Sequence, residues 1–346
     1  MRYIIDINLM HREKIQKQLD LDKYQSISEF LNTAIENQLF LEETSVPTAF
    51  NAHEITPYPD FKIKEKPSVI NKYRIKEMET FYSVIPSPNY SNLVLSNQNL
   101  PEIQTWIWGQ INKVFPVKVG LRILQKMLGD KQTIELNDYL TVASQDAAAI
   151  GKIIRDYEET HAKSRSEKIS AGFPHVNDEK SQTRYKFQFL AYQRKDDLLD
   201  GAMSLLRFCN LERKSNKVYI GLTDAGAMFS QKSNPVLDDS NLDIPFSESE
   251  INFYLTHIKK NVLSEYSAIK WLLNTINDGN NDREKINVEL DKKFGEKWNA
   301  TTTVINTQRS GITARAFELG LIQKTKNGIY VTYNVTDTGK YFLNNS

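Results

Sequence analysis

The sequence lacks features that several classes of protein require. Its 346 residues include one cysteine, Cys209, so no intramolecular disulfide can form, which fits a reducing cytoplasm. No apolar run approaches the roughly 18 residues that a membrane span needs. Residues 1–20 carry charges throughout and have no apolar signal core. We therefore expect a cytoplasmic protein without a membrane partner.

Patterns that carry enzyme chemistry are missing as well. The sequence has no glycine-rich phosphate loop that ends in Gly-Lys-Ser or Gly-Lys-Thr. His161 and His175 have no cysteine neighbours at the spacing of a zinc site. Cys209 falls on the apolar face of a predicted helix, which favours a core position over a nucleophile. We expect no enzymatic activity, no metal and no cofactor.

The overall charge gives no sign of a nucleic-acid partner. The net charge is +1, with 40% hydrophobic and 25% charged residues, which is ordinary for a globular protein. A DNA-binding surface would therefore have to be local. Residues 300–326 carry four basic residues and one acidic one, a net charge of +3, and residues 152–195 carry ten and six, a net charge of +4.

Two stretches of the chain share one pattern, GAMSLLRFCNLERKSNKVYIGLTDAGAMF (201–229) and GITARAFELGLIQKTKNGIYVTYNVTDTGKYF (311–342). Each begins with glycine and continues with apolar residues at helical spacing. Each predicted helix breaks at a turn residue, Asn210 in the first copy and Gly320 in the second. Two β-rich runs around a polar turn follow, which predicts a hairpin in each copy.

The ends of the two copies reinforce the repeat. The second hairpin turns at Asn327-Gly328, the strongest short hairpin signal. Both copies close with Thr-Asp-x-Gly, beginning at Thr223 and at Thr336, and the Thr or the Asp is expected to cap a final short helix. Apolar spacing also predicts helices upstream of each copy. Before the first copy these helices are 115–128 and 137–161, and an insertion follows at about 162–195. For the second copy they are 264–278, 283–295 and a third helix from Asn299 or Thr301 to about Leu319.

A helical bundle followed by a hairpin and a Leu-Thr-Asp-x-Gly type of ending resembles the winged-helix fold, here in tandem over residues 101–240 and 247–346. The resemblance implies that the third helix of each unit lies in the major groove and that the hairpin, or wing, contacts phosphates or the minor groove. The residues expected to contact DNA in the second unit are Thr301, Thr302, Thr303, Asn306, Gln308, Arg309, Lys324, Lys326 and Asn327. In the first unit they are Arg165, Lys168 and Arg184. Arg315 is expected to be a structural or surface residue.

The first forty residues carry a separate pattern. An alternating strand over Tyr3–Leu9 precedes two amphipathic helices, and Ser26-Ile27-Ser28-Glu29 reads as a capping box at the second. Residues 1–43 resemble a ribbon-helix-helix module of the Arc and CopG type, which implies a homodimer paired through this strand. The resemblance also implies DNA contacts by Arg2, Asn8, Ser26 and Ser28. Asp6 and a net charge of −3 over the segment fit dimerisation better than base reading, and an ordinary helical hairpin is the alternative.

Residues 44–100 differ from both neighbours, because six prolines interrupt every helical pattern. They are expected to form an extended linker, or alternatively a strand-rich addition packed on the first winged helix. Around residues 104–108, the Trp-Ile-Trp sequence predicts a buried helical anchor.

These expectations combine into one hypothesis. The fold class is mainly α with small β-wings, and the expected function is that of a homodimeric, sequence-specific protein that binds double-stranded DNA. We expect a transcriptional regulator that acts by occupying a repeat or palindromic site. The alternatives are a plasmid or mobile-element replication or partition protein, and an adaptor whose winged helices dock other proteins.

Overall fold

The computed structural model describes residues 68–75, 94–95, 106–164, 167–296, 299–328 and 330–345, and in these the chain is mainly α-helical with a few short strand pairs. The coarse fold class expected from the sequence is thus confirmed. All described residues belong to one compact unit, residues 65–346. The predicted ribbon-helix-helix module, with Arg2, Asn8, Ser26 and Ser28, lies outside the described residues, as does Arg165.

The first lobe begins with helices that the apolar spacing predicts to within one residue. Its first elements are α1 (Phe115–Leu128), β2 (Ile134–Glu135), α2 (Leu136–Thr160) and α3 (Glu179–Gln188). Pro116 suits the first turn of α1, where its missing N–H has no helical acceptor. Gly129, with φ of 56°, ends the helix. Helix α3 lies within the interval expected to be an insertion.

The remainder of the first lobe is a hairpin with short flanking elements. These are β1 (Val94–Leu95), β3 (Tyr192–Gln193), β4 (Leu198–Asp200), α4 (Ala202–Leu205), β5 (Cys209–Lys214), β6 (Lys217–Leu222), α5 (Asp224–Gln231) and α6 (Pro235–Asp239). The strands form two three-stranded sheets, in the orders β2-β6-β5 and β1-β4-β3. The antiparallel β5–β6 hairpin turns between Lys214 and Lys217, in the polar turn that the sequence predicts.

The second lobe repeats this plan in a shorter form. A connecting helix, α7 (Glu248–Asn261), leads into α8 (Leu263–Asn277), α9 (Arg283–Leu290), α10 (Thr302–Glu318), the hairpin β7 (Ile322–Asn327) and β8 (Tyr330–Val335), and α11 (Asp337–Asn344). A π-helical turn, Asp291–Gly295, extends α9 to the residue where the sequence predicts its end. Thr301 caps α10, as expected. Asp282 bridges Thr332 just as β2 pairs with β6 in the first lobe.

The Thr-Asp-x-Gly motif forms the same helix cap in both lobes. The Thr223 hydroxyl accepts from the Gly226 amide at 3.0 Å, and the Thr336 hydroxyl accepts from the Gly339 amide at 3.1 Å. Each hydroxyl also donates to the carbonyl of the left-handed residue that ends the preceding helix, Arg207 or Gly320. The predicted caps are therefore confirmed.

The alignment of the two copies differs from the expected one. Arg207, with φ of 57°, and Gly320, with φ of 68°, are equivalent, because each lies sixteen residues before the capping threonine. Asn210 was expected to be equivalent to Gly320, but it is a residue of strand β5 and pairs with Gly221 of β6. The predicted first-copy helix is reduced to one turn, α4. Cys209 is accordingly a strand residue, buried, and burial raises the pKa of its thiol to about 12.

Residues 106–114 form a segment of irregular backbone that precedes α1 of the first lobe and packs against the second lobe. We call this segment the strap. Trp106 is buried against Trp271 and Phe294, with ring centroids 5.7 and 4.6 Å away. The predicted anchor is thus present at Trp106, but it is not helical and Trp108 is 56% exposed.

Buried charges fix the strap to the second lobe. Arg315 in α10 pairs with Glu265 in α8 through two contacts of 2.7 and 2.8 Å. Its third nitrogen donates to the carbonyl of Ile111 in the strap. Both charged side chains are buried, so the guanidinium serves the fold, as the sequence suggested for Arg315.

Parts of the proline-rich interval contact the first lobe. Of residues 44–100, the structure describes 68–75 and 94–95. The carbonyl of Tyr73 accepts from the buried Arg122 guanidinium at 2.9 Å, and the same guanidinium binds Asp238. Strand β1 pairs in parallel with β4. These two described pieces are therefore packed onto the first lobe.

Candidate nucleic-acid interface

The exposed face of α10 is a row of small polar side chains. Thr303, Asn306 and Ser310 follow one another at three- and four-residue spacing, which places them on one side of the helix. Thr303 and Ser310 are exposed and Asn306 is partly exposed. The helix carries one acidic residue, Glu318, and its carboxylate is buried away from this face. We call these three residues the polar row.

The start of α10 extends this surface. Thr301 at the N-cap and Thr302 in the first turn are both exposed, and the Thr301 side chain accepts from the amide of Val304 at 3.4 Å. The amides of a first helical turn point toward solvent, where they favour an anion. Of the expected residues, Thr301, Thr302 and Thr303 thus lie where DNA could reach them.

Asn306 and Arg309 belong to a network with the neighbouring helix. The Asn287 side chain in α9 donates from Nδ2 to Asn306 Oδ1 at 2.7 Å. Arg309 donates from Nε to Asn287 Oδ1 at 2.9 Å. Burial lowers the pKa of Arg309, and the nearby Arg283 lowers it further. Arg309 and Asn306 are therefore both partly fixed between α9 and α10 by Asn287.

Gln308 is not on the exposed face, and the expectation that it reads bases is wrong. Its side chain is 2% exposed. Its oxygen accepts from the amide of Gly109 at 2.9 Å, and its nitrogen donates to the carbonyl of Ile107 at 2.9 Å. The strap covers this side of α10, and the glutamine satisfies two backbone groups there.

The hairpin of the second lobe presents its cations unevenly. Lys326 and Asn327 are exposed near the turn, where Gly328 adopts φ of 60°. Lys324 is partly buried, and its ammonium lies 4.1 Å from the centre of the Phe317 ring. Burial lowers the pKa of Lys324 to about 8, and repulsion from Lys113 and Arg283 contributes. Phe317 lies on the same face of α10 as Ser310. Because Lys324 of the hairpin contacts the Phe317 ring, the hairpin borders the polar row.

A group of cations beside the polar row lacks carboxylate partners. Arg283, Arg309 and Lys324 lie close enough for Arg283 to lower the pKa of both other groups. Within the part of the chain that the structure describes, no ion pair joins Arg283, Arg309, Lys324 or Lys326 to a carboxylate. We call these four residues the basic cluster. The sequence analysis missed Arg283 and Ser310, although Ser310 continues the spacing of Thr303 and Asn306.

The first lobe is different, because its hairpin cations are paired. Arg213 contacts Asp197 at 2.6 Å, and Lys217 contacts Glu135 at 2.6 Å. The expected first-lobe residues lie elsewhere. Arg184 is exposed on α3, and Lys168 is partly buried in the loop before it. Lys168 and Arg184, both expected to contact DNA, therefore lie on different elements from the first-lobe hairpin.

Comparison of the chain with known proteins finds no matching family model, no matching curated protein and no matching solved structure. Within the described ranges, no three His, Cys, Asp or Glu side chains come together as a metal site. None of the described helices is both long enough and apolar enough to span a bilayer.

Proposed function

We propose that the second lobe is a winged-helix reader of double-stranded DNA and that the chain is a sequence-specific DNA-binding regulator. In this proposal α10 enters the major groove, and Thr303, Asn306 and Ser310 face the base edges. The hydroxyl groups can donate to or accept from bases, and Asn306, whose Oδ1 already accepts from Asn287, can donate to a base through Nδ2.

The basic cluster is the observation that carries the proposal. Arg283 repels both Arg309 and Lys324, and among the described residues no ion pair joins these three or Lys326 to a carboxylate, which favours an anion from outside the chain. Phosphates on either side of a groove occupied by α10 would supply that charge. The helix amides behind Thr301 add a further site for a phosphate. A hairpin whose cations were already paired, like that of the first lobe, would gain much less.

The two lobes therefore receive different roles. The second lobe contacts DNA through α10, Lys326 and Asn327. The first lobe, with its hairpin neutralised, supports the arrangement through the strap, and Arg184 on α3 is an exposed cation of this lobe. A dimer formed by residues 1–43, as the ribbon-helix-helix resemblance implies, would present two second lobes to a repeat or palindromic site and act by occupancy.

The test is selection of binding sites from a pool of randomised duplexes by the full chain. The triple variant T303A/N306A/S310A should remain folded, with a small loss of stability because Asn287 loses its acceptor, and should lose the selected sequence preference. The matched control T338A/N344A removes exposed polar groups from α11 and should select the same sites as the wild type. Retention of the preference by the triple variant would contradict the assignment.

Nonspecific affinity tests the basic cluster separately. Each phosphate contact contributes about 0.9 to the slope of log affinity against log salt. Lys326→Gln should reduce that slope by about one contact on every duplex. Lys260→Gln, which removes an exposed lysine from α7, should leave the slope unchanged.

A further inference from the structure

A cleft of about 550 Å³ lies at the junction of the two lobes. Both lobes and the strap supply its walls, among them Lys113, His161, Lys163, Glu167, Phe317 and Glu318. A volume of this order, with apolar surface and a few polar groups, is typical of sites for small molecules. Thr303, Asn306 and Ser310 of the polar row do not line the cleft, although Phe317 borders both surfaces.

Glu318 is the most unusual group in the cleft. One carboxylate oxygen accepts from the amide of Val114 at 2.5 Å and so caps α1 from the other lobe. The other oxygen, Oε1, is buried and has no hydrogen-bond partner among the residues that the structure describes. A buried acceptor without a partner is destabilising, so this oxygen would gain a hydrogen bond from a donor that a ligand supplied.

Lys113 faces that oxygen across a gap. Its ammonium lies 3.9 Å from Glu318 Oε1, which is too long for a hydrogen bond, and its side chain is 7% exposed. Burial raises the pKa of Glu318, while Lys113 and the amides at the start of α1 oppose that rise. A cation and a carboxylate oxygen are thus held near each other with hydrogen-bonding capacity that neither fills.

The opposite wall holds polar groups of both signs in fixed positions. Lys163 pairs with Asp243 at 2.5 Å. The His161 Nδ1 lies 2.9 Å from the carbonyl of Tyr157. Glu167 accepts from the amide of Ser164 at 2.9 Å. The cleft therefore offers both donors and acceptors, next to the Phe317 ring.

We infer that the cleft binds a small zwitterion of amino-acid size. Its ammonium donates to Glu318 Oε1, and its carboxylate accepts from Lys113. Because the ligand touches the strap, the first lobe and the end of α10 together, it stabilises one arrangement of the lobes. The Lys324 ammonium of the wing lies over the Phe317 ring, so a ligand that contacts Phe317 in the cleft is coupled to the wing.

Thermal unfolding of the full chain tests this, with the proteinogenic L-amino acids as probes, each at millimolar concentration. At least one should raise the melting temperature by about 2–4 °C, as expected for a ligand well above its dissociation constant. Its N-acetyl derivative, which lacks the ammonium, should have no effect. Isothermal titration of the wild type with the same amino acid should give one site per chain.

Variants then locate the site. Glu318→Gln keeps an oxygen that accepts from the start of α1 but removes the negative charge. Lys113→Met removes the ammonium and keeps the aliphatic packing. Both should abolish the shift, whereas Glu179→Gln and Lys180→Met on the exposed part of α3 should not. The inference is overturned if no amino acid gives a shift, which would mean that water alone fills the gap, or if the shift survives in both cleft variants. Neither readout involves DNA, so failure here is separate from failure of the proposed function.

Discussion

Gly109 in the strap and Gly311 in α10 touch backbone to backbone. A Cβ built on Gly311 would lie 2.3 Å from the Gly109 Cα, and a Cβ on Gly109 would lie 2.0 Å from the Thr307 carbonyl oxygen. No side chain fits at either position unless the strap moves away from the helix. The contact fixes α10 against the segment that leads into the first lobe, so that the two lobes share one arrangement.

Gly311→Ala should therefore destabilise the protein by about 1–3 kcal/mol, the usual effect of overpacking. The direction is diagnostic, because glycine to alanine inside a helix ordinarily stabilises by about 0.5–1 kcal/mol. Ser310→Ala, one residue earlier on the exposed face, is the control and should change stability by less than about 0.5 kcal/mol. Urea unfolding of both variants decides the matter, and a stabilised Gly311→Ala protein would show that the strap does not pack here.

Gln308 should affect stability and leave DNA recognition alone. Gln308→Ala removes the partners of the Gly109 amide and the Ile107 carbonyl, so we expect a loss of about 1–3 kcal/mol. Sites selected by the folded variant should be those of the wild type. Thr303→Ala is the matched comparison and should show the reverse, unchanged stability with altered selection. A loss of sequence preference in Gln308→Ala at wild-type stability would return this residue to the DNA surface.

The Arg315–Glu265 pair should show strong coupling. Removing either buried charge alone, as in Arg315→Met or Glu265→Leu, leaves the other unpaired and should cost about 3–5 kcal/mol. The double variant should be less destabilised than the sum of the singles by more than about 1 kcal/mol. Denaturant unfolding of the four proteins gives the coupling energy, and additive effects would mean that the pair is not buried as described.

Lys118 makes the stability depend on pH in the alkaline range. Burial lowers its pKa to about 7, although Glu250 at 2.8 Å opposes the shift. Between pH 7 and the ordinary lysine value, the unfolded chain holds a proton that the folded chain has released. The free energy of unfolding of the wild type should therefore rise with pH relative to Lys118→Met, by up to about 1.4 kcal/mol per unit.

Below pH 7 the two states hold the proton alike, so the difference between wild type and Lys118→Met should become constant. Lys260→Met, at an exposed position, is the control and should show no such trend. A difference that falls or stays flat from pH 7 to 10 would contradict a neutral Lys118 in the folded protein.

The sequence predicted elements whose cause is local. Apolar spacing located α1 and α8 to within one residue, and Thr-Asp-x-Gly located the capped helices at Thr223 and Thr336. It did not predict that Arg207 would adopt the left-handed conformation that glycine adopts in the second copy. Arginine gives no sequence sign of that conformation, so the alignment of the two copies was displaced by three residues.

The site was predicted only where exposure follows from helical spacing. Thr301, Thr302, Thr303, Lys326 and Asn327 are exposed, whereas Lys324 is partly buried and Gln308 is covered by a strap 199 residues away in sequence. A polar side chain at a helical position does not reveal which distant segment will bury it. The lack of partners around Arg283 likewise depends on where the carboxylates fall in the folded chain.

The most direct test of the central claim is photo-crosslinking of the full chain to its selected duplex. A photoreactive side chain at Ser310 or Lys326 should crosslink to DNA, and the same group at Thr256 on α7 or Thr338 on α11 should not. Crosslinks that are absent from Ser310 and Lys326, or equally frequent at all four positions, would contradict the assignment of α10 and the wing as the DNA-binding surface.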